Sequence, residues 1–246
     1  MINTGLIGYG NWGKKIKKIL QKNTNLIFVA DSKINFKKKL NEVDWVFIAT
    51  PDETHFKLVK LLLKNKKNIF CEKPLAIRNS EAKLLFKLAK KYQVKIYVSD
   101  IENFRKKILY NKKNLIIREN NSNLNYKNIL NRWFYHDFYQ IFIDQEIIHL
   151  KISNVKLNKR FSFSLSLNNK VYHFLYNEYS KNKKYFHNNI NLYKSKKNKL
   201  KIMINKIITN KVNYDLNKKI ALKTIYGVNF LRNKIYSKLK IKDKYL

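Results

Sequence analysis

Ile2-Asn3-Thr4-Gly5-Leu6-Ile7-Gly8-Tyr9-Gly10-Asn11-Trp12-Gly13 is the stretch that decides the fold. An apolar run leads into three glycines spaced G-x-G-x-x-G, and Ile16, Ile19 and Leu20 then recur at helical spacing. That is a strand, a tight turn and the start of a helix. Each glycine answers a physical need: Gly8 allows the turn, Gly10 lets the backbone approach a pyrophosphate, and Gly13 lets the helix pack close to the strand. The helix N-terminus then faces the phosphates with unpaired N–H groups, with Asn11 and Trp12 on its first turn. Asp31, 23 residues after Gly8, closes the next apolar run and suits the hydroxyls of an adenosine ribose. Strand, helix and acid together read as a dinucleotide site, and the alternative is a plain glycine turn with a strand-end aspartate. A carboxylate at Asp31 repels a 2′-phosphate and favours NAD. Ser32 and Lys33, which follow at once, keep NADP as the minority alternative.

The composition makes that concentration informative. Only five glycines and two prolines occur in 246 residues, and four of those glycines lie at or just before this turn. Pro51 and Pro74 sit in the two further motifs Ala49-Thr50-Pro51 and Glu72-Lys73-Pro74. Lys, Asn, Ile, Tyr and Phe are in excess, as expected of a gene dominated by AT-rich codons. The formal charge of +37 is mostly lysine spread over the whole chain, with no arginine-rich stripe, so a dedicated nucleic-acid partner is not expected. A positive field of this kind draws in anionic cofactors and substrates. A hydrophobic content of 45% argues for a packed core. One cysteine, Cys71, excludes an internal disulfide and a Cys-rich metal site, and no His/Asp/Glu cluster has ligand spacing. No apolar run is long enough for a membrane span and Met1 leads straight into a strand, so the expected location is the cytoplasm.

Residues 1–100 alternate strand and helix. Apolar runs at 2–7, 26–30, 45–49, 68–71 and 95–99 read as strands buried on both faces, with amphipathic helices between them. The expected architecture is α/β: a Rossmann doubly wound parallel sheet over 1–100, then a smaller α+β domain over 101–246 with a mainly antiparallel sheet. In the second part a helix is expected near 104–110, a strand at 115–118, a loop at 119–128 and an aromatic-rich helix at 126–142. Phe161, Phe163, Leu165 and Leu167 alternate with serines before Asn168-Asn169, which predicts a hairpin into 171–176. Residues 181–199 read as a biased loop holding a further strand from 185. Helices at 200–209 and 216–237 close the chain, with Asp215 as the expected N-cap of the last.

The glycine turn, Ala49-Thr50-Pro51 with His55, and Glu72-Lys73-Pro74-Leu75-Ala76 resemble, in order and spacing, the N-terminal half of the Gfo/Idh/MocA family, the glucose-fructose oxidoreductase and inositol dehydrogenase group. The resemblance implies an NAD(P)-dependent oxidoreductase acting on a hydroxyl or ketone of a sugar, sugar derivative or nucleotide sugar. It implies that Thr50 and Pro51 line the cofactor, with His55 nearby. It also implies that Lys73 exchanges the proton and that Glu72 holds the ribose or orients Lys73. In the second half, the aromatic helix resembles the family's substrate-side helix, in which an Asp and a His four residues apart face the sugar. His136 matches that histidine, whereas Arg132 stands where the aspartate belongs, suited to gripping a carboxylate or phosphate rather than to acting as a base. The last helix is expected to return to the first domain, and the sheet to support a homo-oligomer. The second domain is short for the family, which leaves a non-catalytic nucleotide-binding relative as the alternative.

Overall fold

The computed structural model describes residues 1–31, 36–105, 107–122, 129–143, 145–157, 160–193 and 198–239. Ser32 and Lys33 lie outside the described residues. The chain divides into two compact units: Met1–Phe104 with Asn198–Ile225, and Arg105–Lys197 with Tyr226–Leu246.

In the first unit β1 (Asn3–Ile7), β2 (Asn25–Ala30), β3 (Trp45–Ile48), β4 (Asn68–Cys71) and β5 (Ile96–Val98) form a parallel sheet of order β2-β1-β3-β4-β5. Helices α1 (Asn11–Asn23), α2 (Asp52–Lys64) and α3 (Asn79–Lys91) are the crossovers. The strand order reverses direction between β1 and β3, and such a switch point opens a crevice at the C-terminal strand ends. Leu6, Phe47, Phe70 and Tyr97 from the sheet share a core with Ile16 and Leu20 of α1 and with Met203, Ile204 and Ile207 of α5 (Lys199–Ile208). Each such side chain, once buried, contributes ~1.5–3 kcal/mol of transfer free energy. α6 (Tyr214–Leu239) begins at Tyr214, one residue before the expected cap. Its first turn is capped by Asn213, whose side-chain oxygen accepts the Leu216 N–H at 2.9 Å, so Asp215 lies inside the turn. One turn on, the Asn217 amide pairs with both backbone groups of Val98 on the edge strand β5, each at 2.9 Å.

The second unit is built on a six-stranded mixed sheet of order β11-β10-β6-β9-β8-β7. Its strands are β6 (Lys113–Asn121), β7 (Leu150–Leu157), β8 (Phe161–Leu167), β9 (Lys170–Asn177), β10 (Tyr179–His187) and β11 (Ile190–Asn191). All pairs are antiparallel except β6 with β9. The hairpin turn at Asn168-Asn169 forms as read, with Asn168 at φ 53°. One face of the sheet carries Phe163, Phe174 and Tyr176. It is covered by a π-helical turn (Leu130–Phe134) running into α4 (Tyr135–Phe142), whose Phe134 packs edge-on against Phe163 and Phe174. Gly227 leaves room for the Phe138 ring, which a Cβ there would overlap.

Three expectations fail here for identifiable reasons. The described residues of 104–110 do not form the expected helix; a 3-10 turn, Ile101–Phe104, comes first, and Ile108 and Tyr110 pack with Tyr185 and Leu192. The strand at 115–118 extends over Lys113–Asn121, so the expected loop starts later, and its residues 123–128 lie outside the described residues. β10 starts at Tyr179 rather than 185 because it runs through Lys181, Lys183 and Lys184, exposed residues with no buried face to betray a strand.

Candidate active site

The C-terminal ends of the five parallel strands are tied in series by backbone hydrogen bonds. Gly8 N–H donates to Ala30 at 2.7 Å, Ala49 to Ile7 at 2.8 Å, Glu72 to Ile48 at 2.9 Å and Ser99 to Cys71 at 2.8 Å. This ladder sets Gly8, Asp31, Thr50, Glu72, Lys73 and Ser99 along one rim. Gly8 has φ 100°, and a Cβ there would strike the Ala49 carbonyl; one at Gly13 would strike the Gly8 carbonyl. Both positions therefore require glycine. Gly10 differs: nothing lies within 4 Å of where its Cβ would be. It is the N-cap of α1 and brings no side chain to cap the first turn. A helix N-terminus with open space beside its glycine cap fits a pyrophosphate.

Around that cradle the side chains are cationic and aromatic. Trp12 is exposed, with the Lys15 ammonium 4.7 Å from its ring centroid, and Lys17 stands 5.1 Å from the exposed Tyr9 ring. Asn11 and Asp31 are exposed, Asp31 at the end of β2.

Thr50 and Pro51 leave β3 and enter α2, and the Thr50 hydroxyl is 2.6 Å from that of Thr54. His55, on the first turn of α2, is wholly buried. Its Nδ1 lies 2.7 Å from the Pro74 carbonyl and its Nε2 2.9 Å from the Thr50 carbonyl. The ring thus joins the two loops that carry the sequence motifs. Lys73 is half-buried at the end of β4 beside the buried Glu72. Burial pushes the Glu72 carboxyl up, against the pull of the Lys73 charge and a hydrogen bond from Ser99. Its Oε1 has no hydrogen-bond partner among the described residues. Burial likewise pushes the Cys71 thiol well up, with Glu72 adding to the effect, so Cys71 is a packed thiol rather than a nucleophile.

In the second unit Arg132 is exposed, on the π-helical turn, and His136 is half-buried, on α4. The next residue, Asp137, is wholly buried. Its Oδ2 accepts from Tyr176 at 2.6 Å, its Oδ1 meets His187 Nε2 at 3.1 Å, and the Arg118 guanidinium stands 3.8 Å away. His187 Nδ1 lies 2.6 Å from the Tyr110 hydroxyl. Arg118 also donates to the Trp133 carbonyl at 3.1 Å and stacks 3.7 Å from the Tyr185 ring centroid. Burial alone would raise the Asp137 carboxyl, but Arg118, His187 and Tyr176 hold it below its ordinary value. This network lies outside every motif in the sequence. Its one legible signal was parity, since Arg118 and His187 alternate along their strands with residues of the opposite face. Among the described residues no group of His, Cys, Asp and Glu is placed to hold a metal. No helix there is long and apolar enough to cross a membrane.

Residues 21–100 match the model of the GFO_IDH_MocA oxidoreductase family, described as an NAD-binding Rossmann fold. The 2,7-anhydro-N-acetylneuraminate hydratase of Escherichia coli K12 is 28% identical over 131 residues, 46% of this chain and 35% of that protein. The chain therefore spans about a third of the length of that curated relative in the match. Among solved structures, the UDP-N-acetylglucosamine 3-dehydrogenase GnnA of Acidithiobacillus ferrooxidans superposes with a TM-score of 0.79 at 15% identity, over 94% of this chain and 96% of that one. The WlbA dehydrogenase of Thermus thermophilus, solved with NAD and UDP-GlcNAcA, gives 0.75 at 12% identity, over 94% and 95%. At these identities the superpositions establish the shared fold. Residues 21–100 are thus similar to the NAD-binding Rossmann part of the Gfo/Idh/MocA oxidoreductases, and nearly the whole chain shares the fold of solved dehydrogenases.

Proposed function

We propose that this chain is an NAD(P)-dependent oxidoreductase acting on a hydroxyl or ketone of a sugar, sugar derivative or nucleotide sugar. The observation that carries the reading is the single rim on which the uncapped glycine cradle of α1, Asp31, the Thr50 loop and the Glu72-Lys73 pair are assembled. Structural neighbours named as sugar-nucleotide dehydrogenases, one solved with NAD, support it.

When bound, the nicotinamide takes or gives the hydride. The chain's own residues do the rest. Gly8, Gly10 and Gly13, with the first-turn N–H groups of Asn11 and Trp12, hold the pyrophosphate. Asp31 accepts from the adenosine ribose and favours NAD over NADP; Ser32, next in sequence, is a further cofactor-binding candidate. Thr50 and Pro51 line the nicotinamide side. Lys73 removes the hydroxyl proton as the hydride leaves the adjacent carbon, and returns it in the reverse direction. Glu72 supplies an unsatisfied buried oxygen for a ribose hydroxyl or for the Lys73 ammonium. Arg132 and His136 bind the substrate, with Arg132 suited to a carboxylate or phosphate, and His136 assists the proton transfer. A reducing compartment, the cytoplasm, suits the single buried thiol.

We also place a second copy of the chain on the uncovered face of the second unit's sheet. Strand parity sets Leu115 and Ile117 of β6 beside Leu175 of β9 and Phe186 of β10 there, and Leu115 and Leu175 are 38% and 42% exposed.

Turnover tests the enzyme reading. NADH absorbance is followed with a panel of sugars, sugar acids and nucleotide sugars, using the wild-type protein and Lys73→Ala. Turnover with one substrate, lost in the variant, is the expected result. Dinucleotide binding with no turnover across the panel would favour a non-catalytic relative, which Arg132 in the aspartate position already motivates.

A further inference from the structure

Both ring nitrogens of His55 face acceptors that cannot donate. Nδ1 is 2.7 Å from the Pro74 carbonyl and Nε2 is 2.9 Å from the Thr50 carbonyl, with the ring 0% exposed. A neutral imidazole has one N–H and one lone pair. It donates to one of these carbonyls and turns its lone pair on the other, a repulsive contact for a wholly buried ring. Only the doubly protonated ring donates to both. His187, equally buried, makes the contrast: its nitrogens face a hydroxyl and a carboxylate, which a neutral ring satisfies with Nε2–H donating to Asp137 and Nδ1 accepting from Tyr110.

We infer that His55 is a proton-dependent clamp between the loop after β3 and the loop that carries Lys73. As an imidazolium it ties the Thr50 carbonyl to the Pro74 carbonyl, one residue past Lys73, and fixes the spacing of the two loops across the rim. Loss of the proton frees one of the two carbonyls, so the clamp is complete at lower pH and half-made at higher pH. Several charged groups lie on the elements packed around it. On α2 they are Asp52 and Glu53 in the same first turn, whose charges offset the unfavourable placement of a cation at a helix N-terminus. After β4 they are Glu72 and Lys73, of opposite sign, followed by Arg78 and Glu81 at the start of α3. The Thr50 loop contributes none before Asp52. His55 is thus a positioning residue that acts through the backbone of both loops. Its consequence for proton transfer rests on the role proposed for Lys73, whereas the clamp itself does not.

The test is a long-range nitrogen–proton correlation spectrum of protein carrying nitrogen-15 histidine, recorded across the pH range in which the fold persists. The His55 signals are assigned with His55→Gln. Calorimetric titration with NADH is run on both proteins at the same pH values. The expected spectrum shows protons on both ring nitrogens of His55 at the acid end and on one at the alkaline end. NADH affinity is expected to fall about tenfold through the same midpoint, the worth of one hydrogen bond, and His55→Gln to flatten that dependence. A His55 with a single N–H at every pH would overturn the clamp, and so would a pH profile that His55→Gln leaves unchanged. If the variant does not fold, the wild-type spectrum alone decides between one N–H and two, with the other histidines replaced singly for assignment. If NADH does not bind at any pH, the cofactor reading fails while the spectrum still judges the clamp.

Discussion

Glu72 and Asp137 are both buried carboxylates, one just past the end of β4 in the first unit and one on α4 in the second, and they sit in opposite states. Burial raises Glu72 because its compensation is incomplete: Lys73 and Ser99 pull against it, and Oε1 has no partner among the described residues. Asp137 is lowered because Arg118, His187 and Tyr176 more than offset its burial. A satisfied network rigidifies a core, whereas a half-satisfied buried carboxylate is what a binding site looks like before its ligand arrives. On the function proposed for the rim, the difference separates a group that holds the fold from one held ready by it.

The largest expected effect is on the satisfied side. Asp137→Ala leaves Arg118 buried without its anion, and thermal and urea unfolding should show a loss of about 3–5 kcal/mol. Adding Arg118→Met, which removes the orphaned charge, should recover part of that loss. A destabilisation under ~1 kcal/mol for Asp137→Ala would break the comparison. On the incomplete side, Lys73→Ala should lower turnover by about 10²–10⁴-fold with NADH affinity little changed. A parallel loss of NADH binding would make Lys73 a cofactor residue instead. Gly13→Ala drives a methyl into the Gly8 carbonyl, and its expected cost is ~1–3 kcal/mol together with loss of dinucleotide binding.

The smallest effect has the most telling sign. A carboxyl whose folded-state pKa is raised stays protonated in the native state after the unfolded state has ionised, so stability falls as pH rises from the ordinary 4.5 through the raised value. Glu72→Gln removes that penalty and should stabilise the ligand-free protein by ~1 kcal/mol at neutral pH, with the gain vanishing in acid. Asp137 behaves oppositely: its contribution is complete above the ordinary 3.8 and is lost as pH falls through its lowered value. A Glu72→Gln variant less stable than wild type at neutral pH would place Glu72 among the satisfied groups.

The same contrast explains what the sequence discloses. The first unit is legible because each backbone demand falls on a residue type that announces it: φ 100° at Gly8, a close carbonyl at Gly13, apolar runs for strands buried on both faces. Thr50, His55, Glu72 and Lys73 lie in short motifs at strand ends, so their shared rim follows from the topology. The bridge between the Thr50 and Pro74 carbonyls was not legible, since backbone oxygens leave no trace in residue identity. In the second unit, spacing at 104–110 mimicked a helix because Ile108 and Tyr110 pack beneath a strand that comes some 75 residues later. The Asp137 network draws on α4, three strands and a loop, and local patterning does not see partners so far apart. Residue type points to Asp215 as the cap, but Asn213, two residues earlier, accepts the Leu216 N–H.

The most direct test of the cofactor site is thermal unfolding of wild type and Gly13→Ala with NAD, NADH, NADP and NADPH, in enough salt to screen the lysine-rich surface. At a hundredfold excess over Kd, a ligand bound only by the folded state adds ~2.7 kcal/mol, about 5–10 °C for a chain of this size. Stabilisation of wild type by the NAD pair beyond the NADP pair, and none in Gly13→Ala, is the expected result. No shift with any dinucleotide, or an equal shift in both proteins, would mean that the glycine turn is only a structural turn and that the reading of the rim as an active site is wrong.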